Sequence, residues 1–157
     1  MSVDRVREYL TQFGAQDRIL EFDVSSATVA LAAEALHCEP GRIAKTLSFM
    51  VGERPILIVF AGDARIDNRK YKDCFGTKAR MMSAEEIEHF TGLHFGGVCP
   101  FGIPEAIDIY LDVSLRRFNP VYPACGSSNS AIEVTLEELE QFSRAKDWVD
   151  VGKDPVT

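Results

Sequence analysis

Six apolar residues in succession, Ile56-Leu57-Ile58-Val59-Phe60-Ala61, constrain the fold more than any other stretch of this chain. A strand with one wet face alternates apolar and polar side chains, whereas an unbroken apolar run of this length suits a strand covered on both faces. The run follows a turn at Gly52-Glu53-Arg54-Pro55, and Gly62-Asp63 turns the chain at its far end. Before that turn, Lys45 to Val51 alternates with period two, placing Leu47, Phe49 and Val51 on one face together with Lys45. A lysine opening a core-facing row is unusual, because Lys is almost never fully buried without a partner. Either its stem lies along apolar surface with the ammonium in water, or the ammonium stands at the mouth of a cavity.

The flanking segments are mostly helical or short. Val3, Val6, Leu10 and Phe13 recur at helical spacing behind Ser2 as a cap, with Gly14 as a stop. Ile19 to Phe22 reads as a short strand, and Ala27 to Leu36 as an Ala-rich helix capped by Ser26 and ended at Pro40-Gly41. Asp67 caps a short helix running through Lys72 and Cys74, and Lys78 to Met82 reads as a strand. Ser83-Ala84-Glu85-Glu86 and Thr135-Leu136-Glu137-Glu138 are capping boxes, opening helices to about Phe90, stopped by Gly92, and to about Phe142. Ile107–Asp112, Val121–Ala124 and Ala131–Val134 read as strands, with a turn of small residues at 126–130 and Trp148 as an anchor. Strands in runs with helices between them predict one α+β domain over residues 1–157, with a mixed, largely antiparallel sheet flanked by helices.

Composition narrows the function classes. The 157 residues are 46% hydrophobic and 26% charged, which describes a globular domain able to bury a core. No apolar run approaches the roughly 18–20 residues that span a bilayer, and Met1-Ser2-Val3-Asp4-Arg5 lacks the pattern of a secretory signal. Cys38, Cys74, Cys99 and Cys125 are scattered, without zinc-ligand spacing or a disulfide framework, so a cytoplasmic location with reduced thiols is expected. A net charge of −7 weighs against extended wrapping of DNA or any nucleic-acid backbone. Charge is uneven, however: Arg65, Arg69, Lys70, Lys72, Lys78 and Arg80 share a short segment with only Asp67 and Asp73. That run is either a solvated face or a seat for a few phosphates.

The remaining feature is Gly96-Gly97-Val98-Cys99-Pro100-Phe101-Gly102, followed by Ile103-Pro104. Gly lets a ligand approach the main chain, and Pro stiffens the loop, so a pocket wall and a tight core connection both fit. Cys99 is a candidate nucleophile without a placed base, since His37, His89 and His94 read as helix-surface or helix-end residues. The loop lacks the G-x-x-x-x-G-K-[ST] pattern of a nucleotide-phosphate loop. The parts left over suit a site that works by positioning: Lys45 for a hydroxyl or phosphate, and backbone N–H groups of Gly96-Gly97 or Gly126-Ser127 for a carbonyl oxygen.

Several stretches carry a resemblance when taken in order. Ser26-Ala27-Thr28 leads into Ala32-Ala33-Glu34-Ala35-Leu36, and Gly41-Arg42-Ile43-Ala44-Lys45-Thr46-Leu47 follows. Ile58 to Asp63, Gly96 to Gly102, and Cys125-Gly126-Ser127 through Ile132-Glu133-Val134 complete the set. Over roughly residues 3–143 the chain resembles the YbaK / prolyl-tRNA synthetase insertion-domain superfamily. The resemblance implies a free-standing aminoacyl-tRNA deacylase acting on mischarged tRNA, often that for proline, with no metal or cofactor. It implies a compact fold with a largely antiparallel sheet, the tRNA acceptor end as partner, and an aminoacyl-tRNA synthetase as a candidate further partner. It also implies catalytic roles for Lys45, Gly97 and Gly126. Substrate contacts fall on Thr28, Thr46, Gly96, Val98, Cys99, Pro100, Phe101, Gly102, Ser127 and Ser128. Thr46 stands where some alanine-specific members have Asn, and Cys99 where Ser or Thr is common. Val98, Cys99 and Phe101 are expected to form the narrow wall of a size sieve, which synthetases need because a pocket rejects a slightly smaller amino acid only weakly. A non-catalytic module binding tRNA or protein, and a Cys99 thiol hydrolase, stand as alternatives.

Overall fold

The computed structural model describes residues 2–94 and 96–154. Its helices are α1 (Ser2–Leu10), α2 (Val29–Leu36), α3 (Asn68–Phe75), α4 (Ala84–Thr91) and α5 (Leu136–Ser143). The longer strands are β2 (Ile43–Val51), β3 (Arg54–Ala61), β5 (Asp108–Asp112) and β8 (Asp147–Val149). Two-residue strands complete the set: β1 (Leu20–Glu21), β4 (Arg65–Ile66), β6 (Tyr122–Pro123), β7 (Ser130–Ala131) and β9 (Gly152–Lys153).

The apolar run is the middle of the molecule. β3 is the central strand of a sheet ordered β6-β2-β3-β5-β8, and Ile56 to Ala61 are all at 0% exposure. β2 and β3, the two strands expected on either side of the turn at 52–55, form a hairpin, paired antiparallel from Ala44↔Ala61 to Val51↔Arg54. The sheet is mixed as expected, but the antiparallel share is smaller in it than the expectation had it. β6 runs parallel to β2, β5 parallel to β3, and β8 parallel to β5. The reason is the long connection from β3 through α3 and α4, which brings β5 back in the same direction as a crossover does. Antiparallel pairing is kept by the hairpin and by the satellite pairs β1–β7 and β4–β9.

Local signals hold closely. Ser83 and Thr135 each form a complete capping box with Glu86 and Glu138, and Gly92 ends α4 in the left-handed conformation. Asp67 caps α3 by accepting from the N–H groups of Arg69 and Lys70. Two expectations are corrected. α2 begins at Val29 with Thr28 as its cap, because the N–H and hydroxyl of Ser26 are both engaged by the Ser128 carbonyl. Residues 78–82 form a single bridge, Met81 to Phe49, and not a strand. Ser2 lies inside α1, and its side chain is outside the described residues.

The main core joins Phe49, Phe60, Leu111, Ile132 and Leu139 across the sheet. Tyr71 and Phe75 of α3 continue it, with Phe49–Tyr71 and Tyr71–Phe75 ring centroids 5.1 and 4.8 Å apart. Asp112 is buried at 1% exposure, yet its carboxylate is satisfied: Ser114, Val151 and Gly152 all donate backbone N–H groups to it at 2.9–3.1 Å. This latch holds the C-terminal segment, including β9, against the end of β5.

Candidate functional site

β2, the start of α2 and the glycine loop enclose a cavity of about 260 Å³. From β2 it receives Lys45, Thr46 and Ser48; from the cap of α2, Thr28; from the loop, Gly96 and Val98. Met82 and Ile87 close one side, and Tyr122 and Ala131 the other. A broader, shallower surface depression lies around Arg42 and Pro120, and no sequence-predicted site residue lines it.

Lys45 is half-buried. Its Nζ donates to the carbonyl oxygens of Gly62, at 3.2 Å, and Ala64, in the turn that follows β3. Burial lowers its pKa below the ordinary lysine value, with nearby Arg65 adding to the decrease and Asp63 opposing it. A cation whose charge is only partly compensated, at the wall of a partly enclosed space, is suited to holding a polar or anionic substrate group. Beside it, Thr46 Oγ1 is buried with no hydrogen-bond partner among the described residues. An unpaired buried hydroxyl costs stability, so one placed in a cavity wall marks a point where a bound molecule gains a hydrogen bond.

The glycine loop does not present its residues as expected. Only Gly96 and Val98 of its seven line the cavity. Cys99 and Phe101, expected in the sieve wall, have 0% exposure and belong to the main core. Burial pushes the Cys99 thiol up to about 12, and its sulfur lies 3.6 Å from the Phe101 carbonyl. Pro100 lines a separate hollow with Tyr9 and Ile103. The Gly102 carbonyl accepts two N–H donors from the Arg5 guanidinium of α1. The Gly97 N–H, expected to face a substrate carbonyl, instead donates to the His94 carbonyl at 3.0 Å.

Gly97 matters for another reason. A Cβ there would stand 3.0 Å from Gly126 C and from Ser127 Cα and N, all backbone atoms that cannot swing aside. The two turns of small residues that looked separate in the sequence therefore touch main chain to main chain. Among the described residues, the N–H groups of Gly126 and Ser127 donate to no protein acceptor. Their turn stands behind the cavity rim. Ser127 Oγ bonds within it, to Asn129 and Ser130, and the Ser128 carbonyl ties down Ser26. Met82, Ile87, Ser48 and Tyr122 are cavity residues that sequence reasoning missed. The Met81-Met82 pair just before a capping box was the one available signal.

These placements predict thiol reactivity. In native protein a maleimide should label the exposed Cys74 and partly exposed Cys38, while Cys99 and Cys125 react only after denaturation. Mass spectrometry showing rapid native labelling of Cys99 would contradict its burial. Among the described residues no three His, Cys, Asp or Glu side chains are grouped to hold a metal, and no helix is long and apolar enough to cross a membrane.

The family model described as "Aminoacyl-tRNA editing domain" matches residues 24–142. The uncharacterized protein YwhH of Bacillus subtilis is 54% identical over 155 residues, covering 98% of this chain and 99% of its own. A proline--tRNA ligase of Aquifex aeolicus is 31% identical over 90 residues, covering 56% of this chain. The chain spans only 16% of that ligase. Among solved structures, a proposed trans-editing enzyme for prolyl tRNA synthetase superposes with a TM-score of 0.87 at 29% identity, covering 97% of each chain.

Proposed function

The chain belongs to the aminoacyl-tRNA editing domain family, and from that premise we propose that it is a trans-acting deacylase hydrolysing the ester of mischarged tRNA, with a small amino acid on tRNA for proline as substrate. The observation that carries this reading is one cavity lined together by Lys45, Thr46, Gly96 and Val98. At about 260 Å³ it has room for an aminoacyl group, and the side chains of Val98, Met82 and Ile87 in its wall would set the size limit of a second sieve. The proline side of the reading rests on the likeness to a trans-editing structure and to segments of proline--tRNA ligases.

In the proposed mechanism the protein supplies position and polarisation. The Lys45 ammonium holds the terminal nucleotide end, while the unpaired Thr46 hydroxyl in the cavity wall donates to an oxygen of the bound aminoacyl ester, and the Gly126-Ser127 turn backs the loop through Gly97. Water attacks the ester carbonyl, the carbonyl-to-ribose C–O bond breaks, and the departing ribose oxygen takes up a proton with the neighbouring substrate hydroxyl assisting. No protein nucleophile takes part, in keeping with the buried, high-pKa Cys99.

The test is a panel of tRNA for proline charged with Ala, Ser, Cys, Thr or 2-aminobutyrate, against correctly charged tRNA. Ester loss from at least one mischarged species, with the proline ester spared, is the expected result. Intact esters throughout the panel, at enzyme concentrations where an active deacylase completes the reaction, would leave the chain a binding module.

A further inference from the structure

The basic run noted in the sequence is not used by the site described above, but the fold brings both of its ends to that site. It starts at Arg65 in β4, one residue after the Ala64 carbonyl that holds Lys45 Nζ. It ends at Arg80, whose carbonyl accepts from Met50 N–H at 2.9 Å, next to the Met82 N–H that donates to the Ser48 carbonyl at 3.0 Å. Ser48 and Met82 line the cavity. The segment thus leaves the cavity at the Lys45 end of β2 and returns along the same strand.

Between these ends, α3 buries Tyr71 against Phe49 and turns its polar residues outward. Arg65, Arg69, Lys70, Lys72, Lys78 and Arg80 are all exposed. Two are engaged: Lys70 with Asp150 at 3.1 Å, and Arg80 with Glu86 at 2.9 Å. Arg65, Arg69, Lys72 and Lys78 form no ion pair among the described residues; outside the run Arg7, Arg18, Arg42, Arg54, Arg117, Arg144 and Lys146 form one, and Arg5, Lys45, Arg116 and Lys153 do not. Of the two acids in the segment, Asp67 is turned back onto the N–H groups of α3. Four exposed cations without an ion pair, with Asp73 the one exposed acid of the segment, make a local excess of positive charge in a chain of net charge −7, the electrostatic footprint expected for a polyanion that touches the protein over a short length.

We propose that the face made by β4, α3 and the segment to Arg80 seats the phosphate backbone of the tRNA acceptor arm, so that its single-stranded 3′ end reaches the cavity beside Lys45. This rests on the deacylase reading for its choice of RNA. The contacts are to phosphates, so they position the substrate and do not read its sequence.

The test is binding, measured without hydrolysis. An uncharged, fluorescently labelled acceptor-stem hairpin ending in CCA is titrated with wild type and with the triple variant R69Q/K72Q/K78Q between 50 and 200 mM salt. Single variants R69Q and K78Q accompany it, and thermal unfolding checks that each is folded. The wild-type affinity should fall with salt, and the triple variant should bind at least about tenfold more weakly at 50 mM. Its log Kd against log salt should be shallower by about 2, since each lost phosphate contact removes about 0.7–0.9 from the slope. A folded triple variant with wild-type affinity and slope overturns the proposal. If the slope changes as expected but no mischarged tRNA is hydrolysed, the phosphate face stands and the deacylase reading falls. If wild type does not bind the hairpin at 50 mM salt, the phosphate face is overturned whatever the hydrolysis assay shows.

Discussion

Lys45→Ala is expected to reduce hydrolysis of mischarged tRNA at least about a hundredfold, the scale of loss when one preorganised charge-stabilising group is removed from an active site. The variant should still fold, because the cavity wall keeps Thr46, Gly96 and Val98 and loses only a bond between an ammonium and two turn carbonyls. Lys45→Arg keeps the charge but spreads it over a planar fork, so it should recover little. A pH profile gives an independent reading. Burial lowers the Lys45 pKa, so its proton is lost at lower pH than from an unperturbed lysine near 10.4. Activity that needs the ammonium should accordingly fall on the alkaline side, through a lowered pKa, while acid pH leaves the cation intact. Stability has the opposite sign. The unfolded chain binds the proton more tightly, so this group lets stability rise, not fall, as pH climbs through the lowered value. Full activity in Lys45→Ala would remove the cation from the mechanism.

The largest stability effect should come from Asp112→Ala. Three backbone N–H groups lose a buried, charged acceptor and gain none, which costs about 3–4 kcal/mol. For a chain of this size that lowers the unfolding midpoint by on the order of 10 °C. Asp112→Asn keeps one acceptor oxygen and should lose less. The affected segment is the β9 end, so hydrogen exchange there should rise before exchange in β3 does. A midpoint within about 2 °C of wild type for Asp112→Ala would show that the latch contributes little.

What the residues revealed in advance depended on how local the cause was. Capping boxes at Ser83 and Thr135 are closed by residues three apart, and the structure forms both. The burial of Ile56–Ala61 follows from composition alone, and the hairpin with β2 follows from the turn between them. The parallel placement of β5, β6 and β8 depends on partners far along the chain, and no short pattern carries it. Thr28, not Ser26, caps α2 because Ser128, about a hundred residues on, has already claimed Ser26. Of the site, Lys45, Thr46, Thr28, Gly96 and Val98 share the cavity. Cys99 and Phe101 do not, because an irregular loop has no fixed alternation from which to read which side chains turn inward.

The bond from Arg5 to Gly102 has a consequence for cutting and grafting this domain. α1 precedes the stretch that aligns with the family, residues 24–142. Yet Arg5 grips the end of the glycine loop, and the Tyr9 hydroxyl donates to the Phe142 carbonyl nearby. A fragment trimmed to the aligned borders would carry every cavity residue and none of the bracket behind the loop. The smallest piece that can be moved intact into another protein is therefore larger than the smallest piece that can be aligned.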